Sequence, residues 1–394
     1  MQLHLLWSKV KSYMYAYIYM LKRNRICLES AVLFFTFQGE YTCNPKYICE
    51  ELHELDSAIK CIWVTLPGRV SKKFPEYINT VEFGTPEYYK ALYSAKIWVD
   101  NAFNIVKRPV KKKKKQYLIE TGHGSLGIKR IGPGLSKEAS RRDRKAFFSA
   151  TMTDYIISNS SFETNVYRTS FWKETTLLEL GHARTDILLN TNLEKIYNEK
   201  VRNFYNLDKS AKLMLYAPTF QRENSGDYQL LDFNEMKAVL EDRFGGTWYI
   251  LNRLHPRDVR ERTNNRSDSM YVLDGNEYLD IQELMVAVDV GITDYSSWIY
   301  DYVLMKKPGF IYAPDQESYE KNSEGFYYPI TSTPFPVAKN NSEMMEYIRC
   351  FSEDEYKNDA ENFIKSKGCV DDGTASYKGA EVILNLLADK IDDN

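Results

Sequence analysis

Val288-Asp289-Val290-Gly291-Ile292-Thr293-Asp294-Tyr295-Ser296-Ser297 runs directly into Trp298-Ile299-Tyr300-Asp301-Tyr302-Val303-Leu304-Met305. The first part reads as a short apolar strand, the middle as a hydroxyl-rich turn, and the rest as an amphipathic helix. Strand, turn and helix in that order belong to an α/β protein. Thr293, Asp294, Ser296 and Ser297 crowd the start of the helix. Unpaired backbone N–H groups and the positive end of the helix dipole suit that point to a phosphate. Hydroxyls add donors there without adding charge. A plain helix cap by Asp294 or Ser296 fits the local sequence as well, so the surrounding chain has to decide.

Working outward, the same alternation recurs. Ala31-Val32-Leu33-Phe34-Phe35-Thr36-Phe37, Ile59-Lys60-Cys61-Ile62-Trp63-Val64, Ala95-Lys96-Ile97-Trp98-Val99-Asp100, Tyr117-Leu118-Ile119-Glu120-Thr121 and Tyr155-Ile156-Ile157-Ser158 read as buried strands, with a helix expected from Pro45 to Leu55. A second series holds Lys212 to Ala217, Thr247 to Arg253, Tyr271 to Leu273, the opening strand, and Gly309 to Tyr312. Strands alternating with helices predict parallel sheets covered on both faces. At 394 residues the chain has room for two such units. A charged helical stretch from about Asn190 to Ser210 is expected to join them. Ligands of such sheets bind beyond the carboxyl ends of the strands, and two facing units would form a cleft there.

Composition narrows the classes. Hydrophobic residues at 43% and charged residues at 27% describe an ordinary globular protein. A net charge of −2 supplies no overall field for nucleic acid. Aromatic residues reach 14%, much of it Tyr, a residue suited to sugars, polyols, membrane interfaces and cores alike. Cys27, Cys43, Cys49, Cys61, Cys350 and Cys369 form no C-x-x-C pair and no metal-ligand spacing, so cytosolic thiols are expected. The sequence carries no P-loop, no G-x-S-x-G elbow, no first-strand G-x-G-x-x-G and no H-E-x-x-H. Nothing in it calls for a metal, and no cofactor is expected.

At the amino terminus, Leu3, Leu6, Trp7, Val10, Met14, Tyr17, Ile18 and Leu21 recur at helical spacing, flanked by Lys9, Lys11, Lys22, Arg23 and Arg25. A helix docked on its own domain accounts for such a stripe. The unneutralised basic residues favour instead a helix lying on an anionic membrane. No signal peptide and no spanning helix is expected, which places the protein in the cytoplasm. The run Lys107-Arg108-Pro109-Val110-Lys111-Lys112-Lys113-Lys114-Lys115 is either a solvated loop or an attractor of anionic polymer or lipid.

Three histidines follow strands. His123 lies in Thr121-Gly122-His123-Gly124-Ser125-Leu126-Gly127-Ile128-Lys129, where flanking glycines allow a sharp turn and a close substrate. That position suits proton transfer near neutral pH, although a turn histidine bonded to backbone fits too. His255 follows Leu251-Asn252-Arg253-Leu254 and precedes Pro256, in reach of a phosphate or leaving group. In Leu180-Gly181-His182-Ala183-Arg184-Thr185-Asp186, Arg184 either binds a phosphate or pairs with Asp186 to order the loop.

Taken together, these segments resemble the CDP-glycerol:poly(glycerophosphate) glycerophosphotransferases of teichoic-acid and capsule synthesis. Ile292-Thr293-Asp294-Tyr295-Ser296-Ser297, then Asp301, Lys307-Pro308 and Tyr312, Asp315 and Tyr319, are similar to that family's ITDYSS motif and the residues beyond it. Gly122-His123-Gly124-Ser125 resembles its WHGT motif, Leu254-His255-Pro256 its second histidine motif, and Tyr216-Ala217-Pro218-Thr219-Phe220 its YAPT segment. Ile157-Ser158-Asn159-Ser160 and the Gly181 to Asp186 loop resemble its SSN and G-x-P-R-x-D segments. The likeness spans roughly residues 30 to 385.

The resemblance implies a GT-B fold, two facing Rossmann-like domains with parallel sheets, preceded here by the amphipathic helix. The expected domains are residues 1–25 for the helix, 26–195 for the acceptor domain, and 196–394 for the CDP-polyol domain, the last helix packing back on the first domain. His123 is implied as general base on an acceptor hydroxyl, and His255 as the group steadying the leaving diphosphate. Thr293, Asp294, Ser296, Ser297 and Arg184 are implied to bind the CDP-polyol phosphates. Gly122, Gly124, Ser125, Lys129 and Thr219 are implied on the acceptor side or in support. The expected reaction moves a polyol phosphate, glycerol phosphate first, from a CDP-polyol to a lipid-linked polyol-phosphate or glycan acceptor at the inner face of the cytoplasmic membrane. CMP leaves, and no nucleic acid takes part. A ribitol-phosphate transferase, a GT-B glycosyltransferase and a non-catalytic binder of anionic polymer are the alternatives. Three departures stand out: Gly122 replaces the family's Trp, which would widen the acceptor side; Ser125 to Lys129 is one residue longer than T-P-L-K; and Glu324-Gly325 replaces Arg-Gly.

Overall fold

The computed structural model describes residues 2–68, 74–127, 129–132, 139–219, 230–254, 269–322 and 325–389. Two compact units emerge. The first comprises Met1–His123, Gly132–Asp186 and Val370–Asn394; the second comprises Gly124–Ile131 and Ile187–Cys369.

In the first unit, β1 (Glu29–Phe35), β2 (Lys60–Thr65), β3 (Ile78–Glu82), β4 (Ala95–Asp100), β5 (Tyr117–Glu120), β6 (Tyr155–Ser158) and β7 (Thr176–Glu179) form one sheet in the order β3-β2-β1-β4-β5-β6-β7. All of its pairings are parallel. Residues 31–35 of β1 are fully buried, as expected of a central strand covered on both faces. One face carries Leu33, Phe35, Ile62, Val64 and Trp98 against Tyr88, Tyr89 and Leu92 of the Pro86–Ser94 helix. That alternation follows from the two-residue period of strand side chains. The edge strand β3 reads Ile78-Asn79-Thr80-Val81-Glu82 and buries Ile78 alone, so its composition resembles a loop. Sequence patterning does not pick it out.

In the second unit, β8 (Lys212–Tyr216), β9 (Trp248–Asn252), β10 (Val272–Asp274), β11 (Val290–Thr293), β12 (Gly309–Tyr312) and β13 (Val337–Ala338) take the order β10-β9-β8-β11-β12-β13, again all parallel. Counted from its own first strand, each sheet begins 3-2-1-4-5-6, the order of a Rossmann fold, and the first adds a seventh strand at the far edge. Each therefore has a switch point where the chain reverses its direction of winding, between β1 and β4 in one and between β8 and β11 in the other.

One segment differs from the sequence reading. The stretch expected to join the units is the Thr191–Phe204 helix, which belongs to the second unit. There Arg202 is buried and donates to the carbonyls of Ala211 (2.9 Å) and Ala287 (3.1 Å), and Glu194 pairs with Lys307 at 2.8 Å. The first unit runs to Asp186 and also takes in the last helix, Ala375–Leu387. A Cβ at its Gly379 would stand 3.2 Å from Ile48 of the Cys43–Leu55 helix, so the missing side chain permits a close crossing.

The amino-terminal helix, Gln2–Lys22, docks with its small face. Ser12 and Ala16 are buried, Tyr19 stacks on Tyr89, and the Tyr89 hydroxyl donates to the Ser12 carbonyl at 2.9 Å. The stripe of Trp7, Val10, Met14, Tyr17, Ile18 and Leu21 faces outward, with Trp7 61% and Leu21 78% exposed. No helix among the described residues is long and apolar enough to cross a membrane.

Candidate functional site

In the first unit, the carboxyl end of β4 builds a cradle for His123. Buried Asp100 accepts hydrogen bonds from the Ala102 N–H (3.0 Å), the Ile105 N–H (2.8 Å) and the Asn104 amide (2.8 Å). These bonds curl residues 101–105 so that the Asn101 carbonyl meets His123 Nδ1 at 2.6 Å. A carbonyl only accepts, so Nδ1 carries the proton and the basic lone pair lies on Nε2. The Asn101 side chain accepts from the Phe37 N–H at 2.8 Å, and the Phe37 ring stacks along the exposed imidazole. Phe37 follows β1, so His123 stands at the β1/β4 switch point.

The floor of this cradle is polar and buried. Asn44 donates to the carbonyls of Thr121 (2.9 Å) and Gly122 (3.3 Å) and accepts from the Arg184 N–H at 3.1 Å. Gly122 has φ +57°, and a Cβ there would sit 2.8 Å from the Tyr167 hydroxyl. The space that a missing Trp was expected to open is thus filled by Tyr167. Glu120, next to Asp100 across the sheet, is buried with neither carboxyl oxygen in a well-formed hydrogen bond. Burial, with Asp100 close by, pushes its carboxyl well above the usual range, against a weaker pull from the N–H groups of Gly122 and Phe103. Glu163 shows the opposite balance. Burial acts to raise it, but His182 at 2.9 Å, the Asn159 N–H and the Tyr167 hydroxyl hold it below its ordinary value.

The loops carrying Asn159 and Arg184 turn out to secure the returning carboxyl-terminal segment. Asp371 accepts from Asn159 Nδ2 (2.8 Å), the His182 N–H (2.6 Å) and Thr185 Oγ1 (2.9 Å). Asp186 accepts from the N–H groups of Ala375 (3.1 Å) and Ser376 (2.7 Å), capping the last helix. Arg184 is 3% exposed, its guanidinium 3.7 Å from Cys43 Sγ. Within the first unit it lies beside Asn44, under the turn that bears His123.

In the second unit, Thr293 and Asp294 build the turn more than they line it. Thr293 is fully buried and donates to the Ala217 carbonyl at 2.8 Å. Asp294 is 2% exposed and accepts from both the N–H and the hydroxyl of Thr219 at 2.7 Å, and from the Tyr295 N–H at 2.5 Å. Burial pushes its carboxyl up, while Thr219 and the charge of Lys129 pull it back. These bonds tie the carboxyl ends of β8 and β11 together at their switch point. Ser296 and Ser297 remain partly exposed. The helix beyond is shorter than expected: Ile299–Tyr302 is one turn, followed by a 3-10 turn, Val303–Met305. So few aligned peptides make a small dipole.

Gly124–Ile131 packs with this second unit, although the sequence reading grouped Gly124, Ser125 and Lys129 with His123. Ser125 and Leu126 are buried, and the Leu126 carbonyl accepts from the Tyr328 hydroxyl. A Cβ at Gly127 would touch Ser297 Cβ at 3.4 Å. His255 and Glu324 lie outside the described residues. The basic run is partly structural: Lys112 donates to the Met152 carbonyl (2.8 Å) and pairs with Asp154, and Lys113 donates to the Ile26 carbonyl (2.8 Å). Among the described residues, no group of three or more His, Cys, Asp or Glu could hold a metal ion.

Two parallel sheets in Rossmann order, each with a polar cluster at its switch point, define an α/β protein of the GT-B class. Residues 16–385 match the model of the CDP-Glycerol:Poly(glycerophosphate) glycerophosphotransferase family, and the chain belongs to that family. It is 29% identical over 378 residues to a teichoic acid poly(glycerol phosphate) polymerase of Staphylococcus epidermidis, covering 89% of this chain and 50% of that one. It is 28% identical to a polymerase of the same description from Bacillus spizizenii, covering 95% and 96%. The chain thus spans about half the length of the first relative and nearly all of the second. The solved structure of the wall teichoic acid polymerase TagF superposes with a TM-score of 0.81 at 27% identity, over 97% of this chain and 95% of that one.

Proposed function

We propose that this chain transfers glycerol phosphate from CDP-glycerol to the hydroxyl end of a teichoic-acid-like polymer, releasing CMP. A polyol hydroxyl is a weak nucleophile and needs deprotonation as it attacks. His123 Nε2 takes that proton as the acceptor oxygen bonds to the β-phosphorus and the bond to the CMP oxygen breaks. Ser296 and Ser297 donate to the phosphates, and His255 steadies the departing group. Stabilising developing charge with such donors is a large term in phosphoryl transfer. The observation that carries this reading is the 2.6 Å bond from His123 Nδ1 to the Asn101 carbonyl, which sets the tautomer a base requires. Incubation with CDP-glycerol, CDP-ribitol and UDP-sugars plus a lipid-linked acceptor tests it. CMP release from CDP-glycerol is expected; release of UMP or UDP alone would overturn it, and preference for CDP-ribitol would change the polyol.

The acceptor is lipid-linked in this reading, and the Gln2–Lys22 helix holds the enzyme on the inner face of the membrane through its outward apolar stripe. Burying such a stripe at an interface, with basic residues over anionic lipid, gives reversible binding. Since the docking face is separate, replacing Trp7, Met14 and Leu21 with Ser should shift the protein from anionic vesicles to the supernatant at unchanged Tm. Unaltered vesicle binding would refute the anchor.

A further inference from the structure

We infer that Lys129 is the counter-cation of the donor diphosphate in the second unit, an assignment that rests on the glycerophosphotransferase reading. A diphosphate brings negative charge to a turn whose own carboxylate, Asp294, is occupied in holding Thr219. The helix behind that turn is a single turn long, so its dipole offers little compensation. Serine hydroxyls donate hydrogen bonds without charge. A side-chain cation beside the turn would supply the charge that these groups lack.

The chain from Lys129 to Ile131 brings one in. Lys129 bridges to Phe326 in antiparallel fashion, the Arg130 N–H donates to the Gly325 carbonyl at 3.0 Å, and Arg130 Nε donates to the Phe326 carbonyl at 2.8 Å. The Tyr327 hydroxyl accepts from the Ile131 N–H (3.2 Å) and donates to its carbonyl (3.0 Å). So pinned, the segment passes over Ser297 at Gly127 and sets Lys129 Nζ 5.4 Å from the ring of Tyr319. Tyr319 in turn stacks at 3.7 Å on Tyr295, which sits between Asp294 and Ser296. The aromatic face holds the ammonium by cation–π attraction. Its field reaches Asp294, whose carboxyl it helps to pull down. The Lys129 ammonium thus lies beside the aromatic pair that flanks the phosphate turn.

The test compares wild type, Lys129→Met and Lys129→Arg in CDP-glycerol turnover and in binding of CDP and of cytidine, which has no phosphate. Lys129→Met should raise the KM for CDP-glycerol and the Kd for CDP about tenfold or more, tenfold being about 1.4 kcal/mol. The Kd for cytidine should stay within about twofold and kcat should fall less than KM rises, while Lys129→Arg restores most of the loss. CDP binding by Lys129→Met equal to wild type, or an equal loss of cytidine affinity, would overturn the assignment. If wild type neither binds CDP nor turns over CDP-glycerol, the functional reading itself fails instead.

Discussion

At the β1/β4 switch point the polar groups converge on one imidazole, whereas at the β8/β11 switch point most of them are consumed in making the turn. Asp100 and Asn44 both act on backbone around His123 and leave its ring exposed. Thr293, Asp294 and Thr219 bond to one another and to strand ends, leaving Ser296 and Ser297 for a ligand. The same strand order has therefore produced two kinds of site. Under the proposed function, one holds a single reactive atom in a fixed tautomer, and the other presents hydroxyls and a cation on a rigid frame. Position in the fold says where a ligand binds; the use made of the local hydrogen bonds says what is done with it.

The sharpest way to break this comparison is to remove the base. His123→Ala should lower kcat by about 10²- to 10⁴-fold, the usual contribution of general base catalysis. Its CDP affinity should remain within about twofold of wild type, since the ring belongs to the acceptor chemistry. A His123→Ala enzyme whose CDP binding drops along with turnover would show that the two switch points do not divide the work.

A smaller effect is expected on the other side. Ser296→Ala with Ser297→Ala should raise the Kd for CDP about tenfold, within the range of hydrogen bonds to charged groups. Asp294→Ala should do more harm for another reason. It leaves the Thr219 N–H and hydroxyl without their acceptor, at a cost of about 1–3 kcal/mol in stability, visible as a lower Tm. Equal Tm values for Asp294→Ala and the double serine variant would erase the distinction drawn between frame and ligand groups.

That distinction lay beyond the reach of sequence. The central strands were legible because burial on both faces writes a continuous apolar run, as in Ala31 to Phe35. Edge strands such as β3 and the two-residue β13 carry no such pattern. His123 stood out because glycines flank it at a strand end. Thr293 and Asp294 read as ligand groups because a hydroxyl or carboxylate in a turn has the same letter whichever way it faces. Their partners, Ala217 and Thr219, lie 76 and 75 residues away in sequence. Lys129 was likewise grouped with its sequence neighbour His123, and only chain packing assigns it to the second unit.

The smallest expected effect probes the floor under His123. Glu120 and Asp100 are adjacent buried carboxyls; Asp100 receives three well-formed hydrogen bonds, whereas Glu120 receives none of that quality. Both are shifted upward, Glu120 the more strongly. A carboxyl whose folded-state pKa is raised keeps its proton when folded and loses it when unfolded. Stability therefore falls as pH climbs from the ordinary Glu range towards that raised value. Gln has the same shape and no proton to lose, so Glu120→Gln should be more stable than wild type at pH 7, by roughly 2 °C or more in Tm. The gain should vanish at about pH 4, where both states of the wild type hold the proton. Since Asp100 still titrates, part of the pH dependence should survive in the variant. A Glu120→Gln protein less stable than wild type at pH 7 would mean that the carboxylate is ionised and held by the N–H groups of Gly122 and Phe103. The first switch point would then be a charged site, and its contrast with the Lys129-bearing turn would have to be redrawn as one between an anion and a cation.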